Sequence, residues 1–192
     1  MVQALTPRPP RGEPVVQAVL TATRAELARV GYRALRIEDV AALAKVHKTT
    51  IYRRWPEKQD LVRETMLSLF QENIAVPDTG SLRGDLLAVG YSMVRFATHP
   101  DGKSLVRMCA TEGTEPELRA IVESLRSSKE APPRRIVENA IARGEVAPDL
   151  DPELLVSVLA GAIHHRLFIT QRAEEGLVER VVDLLLMGAK PR

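Results

Sequence analysis

The chain of 192 residues predicts an all-α protein, and three observations carry that expectation. Apolar residues recur at three- and four-residue spacing in one segment after another, while no useful length alternates with period two. Residues that start and stop helices fall between those segments. The composition, 45% apolar and only 4% aromatic, is that of a globular chain packed by Leu, Val and Ala.

Residues 1–13 hold Pro7, Pro9, Pro10 and Gly12 with Arg8 and Arg11 and show no apolar period, so they read as a disordered arm. A first helix is predicted from Pro14 to Val30: Pro14 suits a first helical position, Gly31 a stop, and Val15, Val16, Val19, Leu20, Leu27 and Val30 form one stripe. A second covers Ile37–Ala44, with Ile37, Val40, Ala41 and Ala44 inward. After the turn Lys45-Val46-His47 a third runs from Lys48 to Arg54, and Pro56 opens a fourth, reaching toward Ile74. Together these make a head over residues 14–74.

Beyond Pro77 and Gly80 the pattern stays helical, giving a body over residues 81–192. Its segments lie near 81–98, 101–112, 115–143, 151–171 and 177–187. Thr114 with Glu117 has capping-box spacing. Asp151-Pro152 is a cap and first-turn pair, and Gly144 and Gly188 stand where left-handed stops belong. Pro132-Pro133 must kink or split the long 115–143 segment.

Charge divides the same way. Residues 1–60 hold 11 Lys/Arg against 6 Asp/Glu, the remainder 16 against 19, as expected for a basic nucleic-acid-binding head on another kind of body. The single Cys109 excludes an intramolecular disulfide and fits a reducing cytoplasm. Charges interrupt every apolar run before membrane length, and the N-terminus lacks an apolar signal core. No phosphate-cradling glycine loop, nucleophile elbow or His-x-x-x-His pair points to an enzyme, and no cofactor is expected.

The third helix is the most informative stretch. Lys48, Thr49, Thr50, Tyr52, Arg53 and Arg54 crowd one short segment closed by Trp55-Pro56. A helix meant only for a core has little use for them. One meant for the major groove needs such groups to hold phosphates and probe base edges. Residues 31–58, from Gly31-Tyr32 through the Ile37–Ala44 helix to Tyr52, Trp55 and Lys58, closely resemble the head of TetR/AcrR-family transcriptional regulators. The segment Gly144–Thr170 looks, more loosely, like the C-terminal region of one branch of that family.

The resemblance implies a nine-helix, two-domain TetR-like homodimer, the helix-turn-helix head binding double-stranded operator DNA and the body binding a small-molecule effector. It implies DNA contacts from Lys48, Thr49, Thr50 and Tyr52, with Lys58 holding a phosphate beside a helix N-terminus. Arg53 is a further candidate, whereas Ile51 and Trp55 are expected to pack inward. Three positions depart from the family pattern: Arg36 where a capping Ser or Thr stands, Lys45 where glycine makes the turn, and His47 where serine caps the third helix. The lost cap at Arg36 costs about 1 kcal/mol. If the turn site needs positive φ, Lys45 there costs on the order of 1 kcal/mol. All three residues are cationic or can become so, and they join the DNA-contact set.

In the body, Tyr91, Met93, Phe96, Met108, Cys109, His164 and Phe168 are candidate effector-lining residues. His164-His165 is no metal pair, since adjacent helical residues diverge by about 100°. Leu154–Ile163 is apolar nearly all round, so that helix is expected to be covered on both sides. Leu155, Val158, Leu159 and Ala162, with Val178, Val182 and Leu185 of the last helix, are predicted to form a two-fold dimer interface. A ligand-independent regulator whose body only dimerises remains the alternative.

Overall fold

The computed structural model describes residues 12–73, 77–126, 132–172 and 175–189, and these contain ten α-helices and no strand. The arm residues Arg8 and Arg11, and Ile74, lie outside the described residues. In the head, α1 spans Glu13–Ala34, α2 Ile37–Ala44, α3 Lys48–Arg54 and α4 Lys58–Asn73. In the body, α5 spans Leu82–Thr98, α6 Pro100–Glu112, α7 Pro116–Arg126, α8 Pro132–Ala142, α9 Pro152–His164 and α10 Leu177–Ala189. Ten helices replace the expected nine because the long predicted segment is two: α7 ends at Arg126 and α8 begins at Pro132, whose ring lacks an amide donor and is tolerated in a first turn.

Boundaries follow the local chemistry. Gly31 breaks α1 with φ 78°, as its place after the apolar stripe predicts, and a last turn continues to Ala34. Pro56 does not open α4; the helix begins two residues later at Lys58, with the Glu57 amide donating to Asp60 at 3.3 Å. Asp151 caps α9, its Oδ1 accepting from the amides of Glu153 at 2.9 Å and Leu154 at 3.1 Å. Gly188 is no stop, because α10 runs through it to Ala189. Thr114 and Glu117 form no capping box: α7 starts at Pro116, and the Glu117 carboxylate goes to the Tyr32 hydroxyl of the head. The α9 helix runs on into a π-helical turn, His165–Ile169, in place of a straight end.

Two hydrophobic cores organise the chain, and they do not divide where the linker does. The first joins α1 to α4 through Val19, Leu27, Val40, Ile51, Trp55, Leu61 and Met66, and takes in Phe96 of α5, Leu105 and Met108 of α6, and Leu118 and Ile121 of α7. The second holds Leu86 and Val89 of α5, Ile136 and Val137 of α8, Leu155, Leu159 and Ile163 of α9, and Val178 and Val182 of α10. Helices α6 and α7 thus pack with the head although they follow the linker. The linker is tied down from the body: Arg143 meets Asp78 at 3.6 Å and the buried Asp85 at 3.2 Å, and also pairs with Glu145. Asp85 accepts from the Thr79 amide at 2.7 Å.

Candidate nucleic-acid interface

The helix-turn-helix is assembled by two anchors on α3. Ile51, fully buried, and Trp55, 3% exposed, turn one side of the helix into the head core. The opposite side then has to face out, and Lys48, Thr49, Tyr52 and Arg53 are exposed, with Thr50 half-buried. The turn that aims α3 depends on Lys45, which sits in the left-handed region at φ 55°, ψ 42°, a conformation that crowds any side chain with a Cβ. Neither Arg36 before α2 nor His47 before α3 makes a side-chain cap bond. Arg36, Lys45 and His47 are all exposed.

Partners within the head decide which cations are committed. Arg54 is held: its guanidinium donates to Glu64 of α4 at 3.0 Å and lies 5.3 Å from the Trp55 ring centroid. The Trp55 indole N–H reaches the other oxygen of Glu64 at 2.7 Å. Glu64 therefore fixes the end of α3 and takes Arg54 into an ion pair. Lys48 stands 4.0 Å from Glu38 of α2, both exposed, a contact worth little in water. Lys58 is the first residue of α4, and its ammonium rests on Tyr32, donating to the carbonyl at 3.2 Å and standing 4.4 Å from the ring centroid. Tyr32 is buried; that burial and its bond to Glu117 hold the hydroxyl well above the ordinary phenol range, so it stays a donor. Tyr32, Glu64 and Glu117 supply positions the sequence reading missed. The Gly31-Tyr32 pair was visible, but nothing in the spacing joined it to a residue 85 positions away.

The body residues singled out as effector-lining divide between the two cores and the surface. Phe96 and Met108 are buried in the first core with Cys109 packed beside it, whereas Met93 packs against the second. Tyr91 is exposed, and its hydroxyl donates to Glu179 of α10, a bond that raises its pKa. His164 and Phe168 do meet, ring centroids 6.0 Å apart across the π turn, and burial depresses the His164 pKa. An open groove of about 700 Å³ lies in the head, between α1 and α4 with Trp55 at one end.

The predicted dimer face requires correction. Leu155 and Leu159 of α9, and Val178 and Val182 of α10, belong to the protomer's own core. The apolar side chains left outside are Leu154 (60% exposed), Val158 (46%), Ile169 (73%), Leu184 (66%) and Met187 (68%). Val158 is thus exposed, and Ala162 and Leu185 are half-buried. One helical residue is a rotation of about 100°, and a helix apolar all round carries no signal to choose between adjacent stripes. The stretch Pro152–Ile169 also reaches 18 residues at mean hydropathy 1.2, bare membrane length contrary to expectation, with 22% of it buried.

An outward recognition helix braced by α2 and α4, on a helical body that shares the head's core, defines a helix-turn-helix DNA-binding transcriptional regulator. The chain belongs to the TetR family: residues 19–65 match the family described as bacterial regulatory proteins, tetR family, and residues 76–185 match the tetracyclin repressor-like C-terminal domain. It is 34% identical over 184 residues to the DNA-binding transcriptional repressor TetR of Mycobacteroides abscessus, covering 92% of this chain and 94% of that protein. It is 29% identical over 181 residues to the HTH-type transcriptional regulator AqdR of Rhodococcus erythropolis, covering 93% and 86%. Among solved structures, the TetR family transcription regulator SCO0332 superposes with TM-score 0.71 at 32% identity, covering 92% of this chain and 99% of that one. The flavonoid-responsive regulator FrrA shares the fold, with TM-score 0.66 at 21% identity over 93% and 98%.

Proposed function

We propose that this regulator is a cytoplasmic homodimeric repressor that holds a palindromic operator and releases it on binding a small molecule. The observation that carries the reading is α3, anchored inward by Ile51 and Trp55 while Lys48, Thr49, Tyr52 and Arg53 stand in solvent. Lys48, Thr49, Thr50 and Tyr52 read base edges and adjoining phosphates, with Arg53 beside them. Lys58, Arg36, Lys45 and His47 add phosphate attraction around them. Two copies place their α3 helices in successive major grooves, roughly 34–36 Å apart. The exposed Leu154 and Val158 and the half-buried Ala162 of α9, with the exposed Leu184 and Met187 and the half-buried Leu185 of α10, form the two-fold interface.

The effector reading is supported by the family of the body and by the π turn. Such turns recur at functional sites, and here one carries the part-buried pair His164 and Phe168. Burial favours the neutral form of His164, an imidazole that can both donate and accept a hydrogen bond. A second reading, a ligand-independent regulator with a dimerising body, is favoured by the first core, which absorbs both Phe96 and Met108.

The test begins with DNA selected from a random-sequence pool by the full chain. Lys48→Ala and Tyr52→Ala should each weaken binding by about 1–3 kcal/mol where a base contact is lost, relaxing preference at particular positions. Binding that is sequence-blind and merely salt-sensitive would sink the operator reading. A compound screen for release of that DNA separates the two readings of the body.

A further inference from the structure

We propose that Glu117 is a positioning residue for operator binding: by gripping the Tyr32 hydroxyl from the body, it fixes where the Lys58 ammonium stands. The inference rests on the reading of Lys58 as a phosphate ligand, and it gives the body a direct hand on that ligand. Three carboxylates at the α6–α7 junction, Glu112 ending α6, Glu115 in the turn and Glu117 in α7, close on Tyr32 and Arg33 near the end of α1. Glu112 accepts from the Arg33 amide at 2.9 Å, Glu115 pairs with the Arg33 guanidinium, and Glu117 accepts from the Tyr32 hydroxyl. Gly31 completes the fit: its φ of 78° already disfavours a side chain, and the Glu112 carboxylate fills the space a Cβ would need.

The head side of this clasp leads to DNA. Tyr32 is 3% exposed, so its hydroxyl needs a partner inside the protein, and Glu117 supplies it. The carbonyl and ring face of the same residue hold Lys58, at 3.2 Å and 4.4 Å. The bond to the carbonyl uses one of three ammonium protons, leaving donors for a phosphate oxygen. A lysine stem is otherwise free to sample many rotamers, so a fixed Tyr32 presents the charge already placed. A shift of the α6–α7 turn therefore reaches a DNA contact through two side chains. Leu118 and Ile121 of α7 are buried in the head's core, which keeps the turn seated against α1 and α4.

The experiment measures full-chain affinity for a duplex selected from a random pool, across a salt series, for Tyr32→Phe, Glu117→Ala, Glu117→Gln, Lys58→Met and their pairs. Tyr32→Phe and Glu117→Ala should each weaken binding about three- to tenfold, the loss of one hydrogen bond, and their double variant no more than either. Glu117→Gln keeps an acceptor and should restore most of the affinity. Lys58→Met should flatten the salt slope by about 0.9, the share of one phosphate. In its background neither Tyr32→Phe nor Glu117→Ala should cost anything further.

A purely structural role gives another pattern: losses that multiply with that of Lys58→Met. That pattern overturns the inference, as does native affinity in both Tyr32→Phe and Glu117→Ala. Tyr32→Phe keeps the buried ring and guards against a folding defect in Glu117→Ala. If Lys58→Met changes neither affinity nor salt slope, the phosphate reading itself has failed. That result is distinct from one in which Lys58 matters and Tyr32 and Glu117 do not.

Discussion

The head and the body are built from the same kind of helix, yet they differ in what fixes each helix's rotation. In α3 only Ile51 and Trp55 are apolar enough to enter a core, so burying them leaves one orientation for Lys48, Thr49, Tyr52 and Arg53. In α9 every position from Leu154 to Ile163 except Ser157 is apolar or glycine, and burying Leu155 or burying Leu154 reads equally well. Polar residues are what set the phase. Where they are absent, neighbouring helices decide, and here α5, α8 and α10 turn Leu155, Val156, Leu159 and Ile163 inward.

The sharpest way to break that comparison is to truncate adjacent stripes of α9. Leu159 is fully buried, and Leu159→Ala should cost about 2–5 kcal/mol in denaturant unfolding at fixed protein concentration. Leu154, 60% exposed on the protomer, should cost its own fold within about 0.5 kcal/mol as Leu154→Ala. The same Leu154→Ala, combined with Val158→Glu and Leu184→Glu, should shift the sedimentation equilibrium toward monomer and weaken operator binding with it. A chain in which Leu159→Ala is silent and Leu154→Ala unfolds the protomer would reverse the two stripes.

How much was legible follows the same division. The limits of α2 and α3, the Gly31 break, the left-handed Lys45 and the Asp151 cap are local events, each set by residues within one turn of the position they control. The clasp of Glu117 on Tyr32 is not local: 85 residues separate the partners, and the sequence offered Glu117 an adjacent use in a capping box. The split between α7 and α8 was legible from Pro132-Pro133, but the allegiance of α6 and α7 to the head's core was not. An amphipathic helix shows that it buries a stripe and says nothing of what covers it. For that reason the outward face Lys48, Thr49, Tyr52 and Arg53 could be placed on one helix, whereas Tyr91 at the surface and His164 on α9 lie apart from Phe96 and Met108 in the first core.

A second prediction probes the body by protons. Burial lowers the His164 pKa below its ordinary 6.5. As pH falls through 6.5, the unfolded chain takes up a proton that the folded chain refuses, so stability falls with pH until the folded value is passed. Unfolding free energies between pH 8 and pH 5 should show this decline, and His164→Gln should remove His164's share of it. An effector that seats against His164 should also protect the ring from protonation, moving the decline to lower pH. A decline unchanged in His164→Gln would assign it to other groups.

The smallest effect returns to the head, where stability and DNA attraction oppose each other at a single residue. Lys45 holds φ 55° without glycine's freedom, at a strain of about 1 kcal/mol, while its charge stands exposed between α2 and α3. Lys45→Gly should therefore raise the unfolding free energy, by about 0.5–1 kcal/mol once glycine's greater unfolded-state entropy is offset. The same variant should bind selected DNA more weakly and with a salt slope flatter by about 0.9. Arg36→Ala separates the two terms, because Arg36 makes no cap bond to lose: it should flatten the slope and leave stability nearly unchanged. If both variants bind with the native salt dependence, the departures from the family pattern at these positions are not exchanges of stability for phosphate attraction, and the strain at Lys45 stands without a compensating contact.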